Sequence, residues 1–128
     1  MSGGRKYDGF VPGRHPIDAY GNGGFRFAEM SHRGSILALP SGIGAWPVTA
    51  AAELNAATLA PVFREGDALE LLLLGTGLEI VPVPEALRWR FREAGIRLDV
   101  MQTGAAARTY NILLGENRKV GAALIAVE

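Results

Sequence analysis

The chain has 128 residues, enough for one domain with a single core and no covalent staples. Nearly half of them are apolar (48%), and 13 basic side chains balance 13 acidic ones, which excludes a disordered chain and a generally basic coat for nucleic acid. Without cysteine there is no disulfide, no thiolate nucleophile and no thiolate metal or iron–sulfur site, a usage compatible with the cytoplasm.

Residues 1–16 read as a flexible N-terminal tail and 17–128 as a single domain. The opening MSGGRKYDGF has no apolar core of a signal peptide, and no apolar run approaches the roughly 20 residues of a membrane-crossing helix. The first third is β in character. Gly24–Met30 alternates, Ser31-His32-Arg33-Gly34 has turn chemistry, and Ser35–Leu39 resumes an apolar run, so a hairpin is expected with its turn at 31–34. Ala45–Val48 adds a short strand at an edge, and Trp46 reads either as a buried anchor or as a contact. A short helix is expected from about position 57 to Arg64, with Pro61 in its first turn, where its missing N–H costs nothing.

From Ala68 the pattern becomes α/β. Leu69–Leu74 is continuously apolar, as befits a central strand covered on both faces. Pro84-Glu85 opens a helix with a buried stripe of Leu87, Phe91 and Ala94, ended by Gly95. Ile96–Met101 alternates, with Arg97 and Asp99 on one face, and reads as a half-covered edge strand. Thr103 is expected to cap a helix running to about Leu114, and Val120–Val127 is a second central strand. The strand–helix–strand unit from Leu69 to Met101 predicts a right-handed parallel crossover with its two strands side by side. The fold class is therefore α/β: three layers, a mixed central sheet with flanking helices, and an N-terminal β-hairpin. Strand order and the direction of the last strand stay open.

Parallel strands tend to bind ligands outside their carboxyl ends. Two such ends meet here, Gly75-Thr76-Gly77 and Gln102-Thr103-Gly104, the second leading into a helix N-terminus that favours anions. Gly104, Arg108, Asn111 and Gly115 follow at spacings of four, three and four, one helix face. Gly75, Thr76, Gly77, Thr103, Gly104, Arg108 and Asn111 thus form a candidate pocket for a small anion. Each also has an ordinary role, as turn glycine, helix cap or solvated side chain. Ile80 stands where a dinucleotide fingerprint needs glycine, and Gly-Lys-Ser/Thr is missing. His15 and His32 lie in different loops without metal-ligand spacing. No catalytic residue, metal or cofactor is assigned.

Arg88-Trp89-Arg90-Phe91-Arg92 mixes basic and aromatic residues in the manner of a nucleic-acid binder. At helical spacing, however, Phe91 turns inward and the arginines fan across the solvated face. Trp89 falls off the buried stripe, and an exposed aromatic beside Arg88 and Arg92 is typical of a protein contact.

Ile17-Asp18-Ala19-Tyr20-Gly21, Gly24-Phe25-Arg26, Gly34–Leu37, Pro40, Trp46 and Leu72–Gly77 resemble the domain-of-unknown-function 498 family. The block Met101–Leu113, with Thr109-Tyr110-Asn111-Ile112-Leu113 its most distinctive part, and Glu116–Val120 extend the likeness across nearly the whole chain from Ile17. Ala107 stands where many relatives carry cysteine. The resemblance implies a three-layer α/β fold and no established reaction or cofactor. It also implies kinship with a mitochondrial assembly factor of respiratory NADH:ubiquinone oxidoreductase that acts by protein contact. Two readings follow: a non-catalytic assembly or interaction factor with an unidentified protein partner, or a small anionic-ligand binder or modest enzyme.

Overall fold

A computed structural model of the chain describes residues 11–128. Residues 1–10, most of the expected tail, lie outside the described residues. Within the remainder of that stretch, Val11–Pro12 is a strand, β1. The further strands are β2 (Ala19–Gly21), β3 (Gly24–Phe27), β4 (Met30–Arg33), β5 (Ser35–Leu39), β6 (Gly42–Trp46), β7 (Leu71–Gly75), β8 (Arg97–Met101) and β9 (Val120–Leu124). The α-helices are α1 (Ala60–Phe63), α2 (Glu85–Ala94) and α3 (Thr103–Gly115).

Six strands form a mixed sheet in the order β1-β6-β5-β9-β7-β8, and β2-β3-β4 form a second, antiparallel sheet. β7 runs parallel to both β8 and β9, while β9 meets β5 antiparallel. The two strands flanking α2 are therefore parallel neighbours, as their sequence spacing predicts. The last strand, whose direction the sequence left open, inserts between the parallel pair and the β5–β6 hairpin.

Alternation along β7 explains its unbroken apolar run. Leu72 and Leu74 enter a core layer with Leu37, Trp46, Val62, Leu87 and Phe91, whereas Leu73 enters another with Phe27, Ala106, Tyr110 and Leu124. A strand covered on both faces has no side that favours polar residues. The first layer lies under α1 and α2, and the second lies between the sheet and α3 with the small β2-β3-β4 sheet. Three layers result.

Four expectations need correction. The hairpin turn is at Ala28-Glu29 and not at 31–34: β3 pairs with β4, and β5 belongs to the large sheet. Ala28 and Glu29 both adopt left-handed conformations (φ 48° and 64°), as a two-residue turn that matches strand twist demands. Nothing in Ala-Glu advertises such a turn, whereas Gly34 (φ 111°) looks like one and instead bends the chain from one sheet to the other. The strand expected at Ala45–Val48 runs instead over Gly42–Trp46, and β1 borders it only at Gly42 and Ile43; Trp46 is its last residue. It is buried, with its indole N–H donating to the Thr58 carbonyl at 2.7 Å, so it is an anchor. Ala94 is exposed and not part of the α2 stripe, which consists of Leu87 and Phe91. Finally, the N-cap of α3 is Gln102, and Thr103 is the first helical residue.

Candidate functional site

The carboxyl ends of β7 and β8 emerge together, with Gly75 opposite Met101 and the Thr76 N–H donating to the Met101 carbonyl at 3.0 Å. The Thr103 hydroxyl, fully buried, donates to the Ile125 carbonyl at 2.7 Å and accepts the Gly77 N–H at 2.9 Å. The Thr103 N–H in turn donates to the Gly77 carbonyl at 2.9 Å. Thr76 donates its hydroxyl to the Glu79 carbonyl (2.6 Å) and accepts the Val81 N–H (3.0 Å), folding residues 76–81 back on themselves. The Gln102 amide reaches over to the Leu78 carbonyl at 2.9 Å. Both hydroxyls that the sequence offered to an anion are thus engaged with main-chain groups.

Glycine is required at position 75 by close approach, since a Cβ there would lie 2.7 Å from the Thr103 Cα. At Gly104 a Cβ would run into the Tyr20 hydroxyl. Asn111 and Arg108, expected to share a polar face, part company. Asn111 accepts the Ile17 N–H and donates to the Ile17 carbonyl, each at 2.8 Å, while Arg108 is exposed. The residue before Asn111, the buried Tyr110, donates its hydroxyl to the His15 carbonyl at 3.0 Å. Burial pushes the phenol up to about 12, with the charge of Arg14 acting in the opposite direction, so it stays a donor at neutral pH. The α3 residues therefore strap down the segment leading into β2.

This division makes a direct expectation. Asn111→Ala removes a paired set of hydrogen bonds to half-buried backbone and is expected to cost about 2 kcal/mol. Limited proteolysis will show earlier cleavage around residues 13–17. Arg108→Ala is expected to stay within about 0.5 kcal/mol of the parent in the same denaturation measurement.

Three apolar residues of the 76–84 loop, Leu78, Ile80 and Val81, are exposed, and so is Trp89 on α2 (57%). The Arg92 guanidinium stands 5.2 Å from the Trp89 ring, and Arg90 caps Phe63 at 4.2 Å. Between α2 and β8 lies a pocket of about 230 Å³ lined by Arg88, Phe91, Arg92, Ile96, Arg97 and Leu98. β8 contributes Arg97 and Leu98 to this lining because it runs beside α2, a tertiary fact that one-dimensional spacing cannot convey. Among the described residues no group of three or more metal-ligating side chains occurs, and no helix is long and apolar enough to cross a membrane.

Comparison with known proteins adds three relatives. An uncharacterized protein of Rhodobacter capsulatus is 39% identical, over 88% of this chain and 86% of its own length. NADH dehydrogenase (ubiquinone) 1 alpha subcomplex assembly factor 3 of Xenopus tropicalis is 28% identical over 85% of this chain, which spans only 60% of that protein. A crystal structure described as an outer membrane protein from Bartonella henselae superposes with a TM-score of 0.88 at 54% identity, covering 91% of this chain and 98% of that one. The family model described as "Protein of unknown function (DUF498/DUF598)" matches residues 17–125, and the chain belongs to that family.

Proposed function

We propose that the chain is a non-catalytic interaction factor that docks a protein partner on the surface around Trp89, Arg88 and Arg92. The observation that carries this reading is an exposed tryptophan flanked by arginines that lie beyond ion-pair distance of any carboxylate among the described residues. Aromatic and arginine side chains dominate protein contacts because they bury large areas and bond in several directions. The name of the Xenopus tropicalis relative, an assembly factor, agrees with this role. Tagged protein expressed in its native cells is expected to retain a partner that Trp89→Ala releases, with affinity falling about 30-fold or more. Arg108→Ala, distant along the chain and exposed, is expected to retain it. Repeated recovery of no partner, or equal retention by the Trp89 variant, would sink the reading.

A cytoplasmic location belongs to the same proposal, and cell fractionation tests it. Recovery in the outer membrane, as the description of the Bartonella henselae structure suggests for that protein, would reverse it. The alternative of a small-anion binder at Gly75–Gly77 and Thr103–Gly104 has weaker support, because the hydroxyls of Thr76 and Thr103 already serve main-chain groups. Millimolar phosphate or carboxylates that raise the melting temperature would favour it.

A further inference from the structure

β8 is the last strand of the large sheet, so its outer edge is unpaired among the described residues. The Arg97 N–H donates inward to the Glu70 carbonyl at 2.9 Å, and the Met101 carbonyl accepts inward from the Thr76 N–H. Main-chain groups alternate sides along a strand, so the N–H and C=O of Leu98 and Val100 face outward. Such an edge is a template for a further strand unless charge or a bulge blocks it.

The flank of this edge is basic over an apolar floor. Phe91 and Ile96 are buried and Leu98 is half-buried, while Arg88 and Arg92 are exposed around the same pocket; Arg97 borders it from β8, where alternation turns its side chain to the face opposite Leu98. The neighbouring acids are Glu85 and Glu93 on α2 and Asp99 on β8. None of them holds an arginine within 4.0 Å: the Lys119–Glu70 contact, at 4.0 Å, is the one ion pair among the described residues. The arginines are therefore available to carboxylates from outside.

We infer, building on the interaction reading above, that β8 accepts an extended acidic segment of a partner protein as an added strand. Main-chain bonds form to Leu98 and Val100, and the carboxylates on the segment's face toward α2 meet Arg88 and Arg92. A second copy of the chain fits this site poorly. Symmetric pairing of β8 with itself would bring a second set of the same arginines to the junction, and like charges across a two-fold axis repel.

The probe is a capped heptapeptide alternating glutamate and valine, titrated into the whole chain and followed through backbone amide resonances. It is compared with a lysine–valine counterpart and with two versions N-methylated on alternate residues, each of which strips the N–H donors from one edge. The acidic peptide is expected to shift the Leu98 and Val100 amides and slow their exchange. R88E/R92E is expected to weaken it roughly tenfold or more, and at least one N-methylated version is expected not to bind.

No binding of the acidic peptide, equal binding of the lysine peptide, undiminished binding of both methylated versions, or shifts confined to other faces would overturn the proposal. So would a single-stranded oligonucleotide that competes for the site more tightly than the peptide. A partner held through Trp89 while Leu98 and Val100 exchange freely in that complex would overturn strand addition and leave the interaction reading standing.

Discussion

Thr103→Val is expected to destabilise the fold by about 3 kcal/mol, lowering the melting temperature by roughly 10 °C for a chain of this length. Valine keeps the shape of threonine and removes only the hydroxyl. That hydroxyl bridges the Ile125 carbonyl beyond β9 and the Gly77 N–H beyond β7 from a site with no solvent access. The Ile125 carbonyl would lose its partner where water cannot replace it and the half-buried Gly77 N–H would lose its own, and such losses cost about 1–3 kcal/mol each before relaxation, the buried one more. Thr103→Ser restores the hydroxyl and is expected to recover most of the difference. Chemical denaturation of the three proteins measures this directly. A Thr103→Val protein as stable as the parent would show that the hydroxyl is not a strut, and would reopen the case for a ligand at this junction.

The second large effect is expected at Gly75. Alanine there places a Cβ 2.7 Å from the Thr103 Cα and 3.1 Å from a Leu124 methyl. The first obstacle is backbone at the start of α3, so relief requires the helix to move off the sheet. Overpacking of this kind costs about 3 kcal/mol, the upper part of the usual range. Gly104→Ala makes the informative contrast. Its added methyl meets the far end of the Tyr20 side chain, which is exposed and free to swing, so the expected cost is under about 1 kcal/mol. Equal melting temperatures for Gly75→Ala and the parent would contradict the packing described for the carboxyl ends of β7 and β9.

These expectations recast the residues that drew attention in the sequence. Gly75, Thr76, Gly77, Thr103 and Asn111 are where strands, helix and N-terminal segment interlock, and their polar groups satisfy one another. The exposed apolar and basic groups, Trp89 with Arg88, Arg92 and Arg97, lie elsewhere, along α2 and the open strand beside it. The distinctive glycines and threonines thus belong to the scaffold, and the exposed aromatic and basic residues belong to the surface.

Much of the architecture was determined by the sequence alone. Leu71–Leu74 and Val120–Leu124 are apolar at every position or filled with small residues, which only a strand covered on both faces tolerates. The length and helical stripe between Leu74 and Arg97 imposed a crossover, and a crossover makes neighbours parallel. Trp89 was legible as exposed because a helix with Leu87 and Phe91 inward must turn position 89 outward. Local signals of this kind depend on periodicity, and periodicity is written in one dimension.

Only the tertiary structure decided the rest. Ala28-Glu29 turns the hairpin because the pairing of β3 with β4 enforces left-handed backbone on residues with no intrinsic preference for it. Thr103 is a strut because Ile125 and Gly77, far apart in the chain, arrive on either side of it. Leu98 meets Arg88 and Arg92 around one pocket because β8 packs beside α2, and the edge of β8 is open because β9 pairs on the other side of β7. Whether a polar side chain is satisfied or available depends on neighbours brought by folding, and no spacing rule along the chain carries that information.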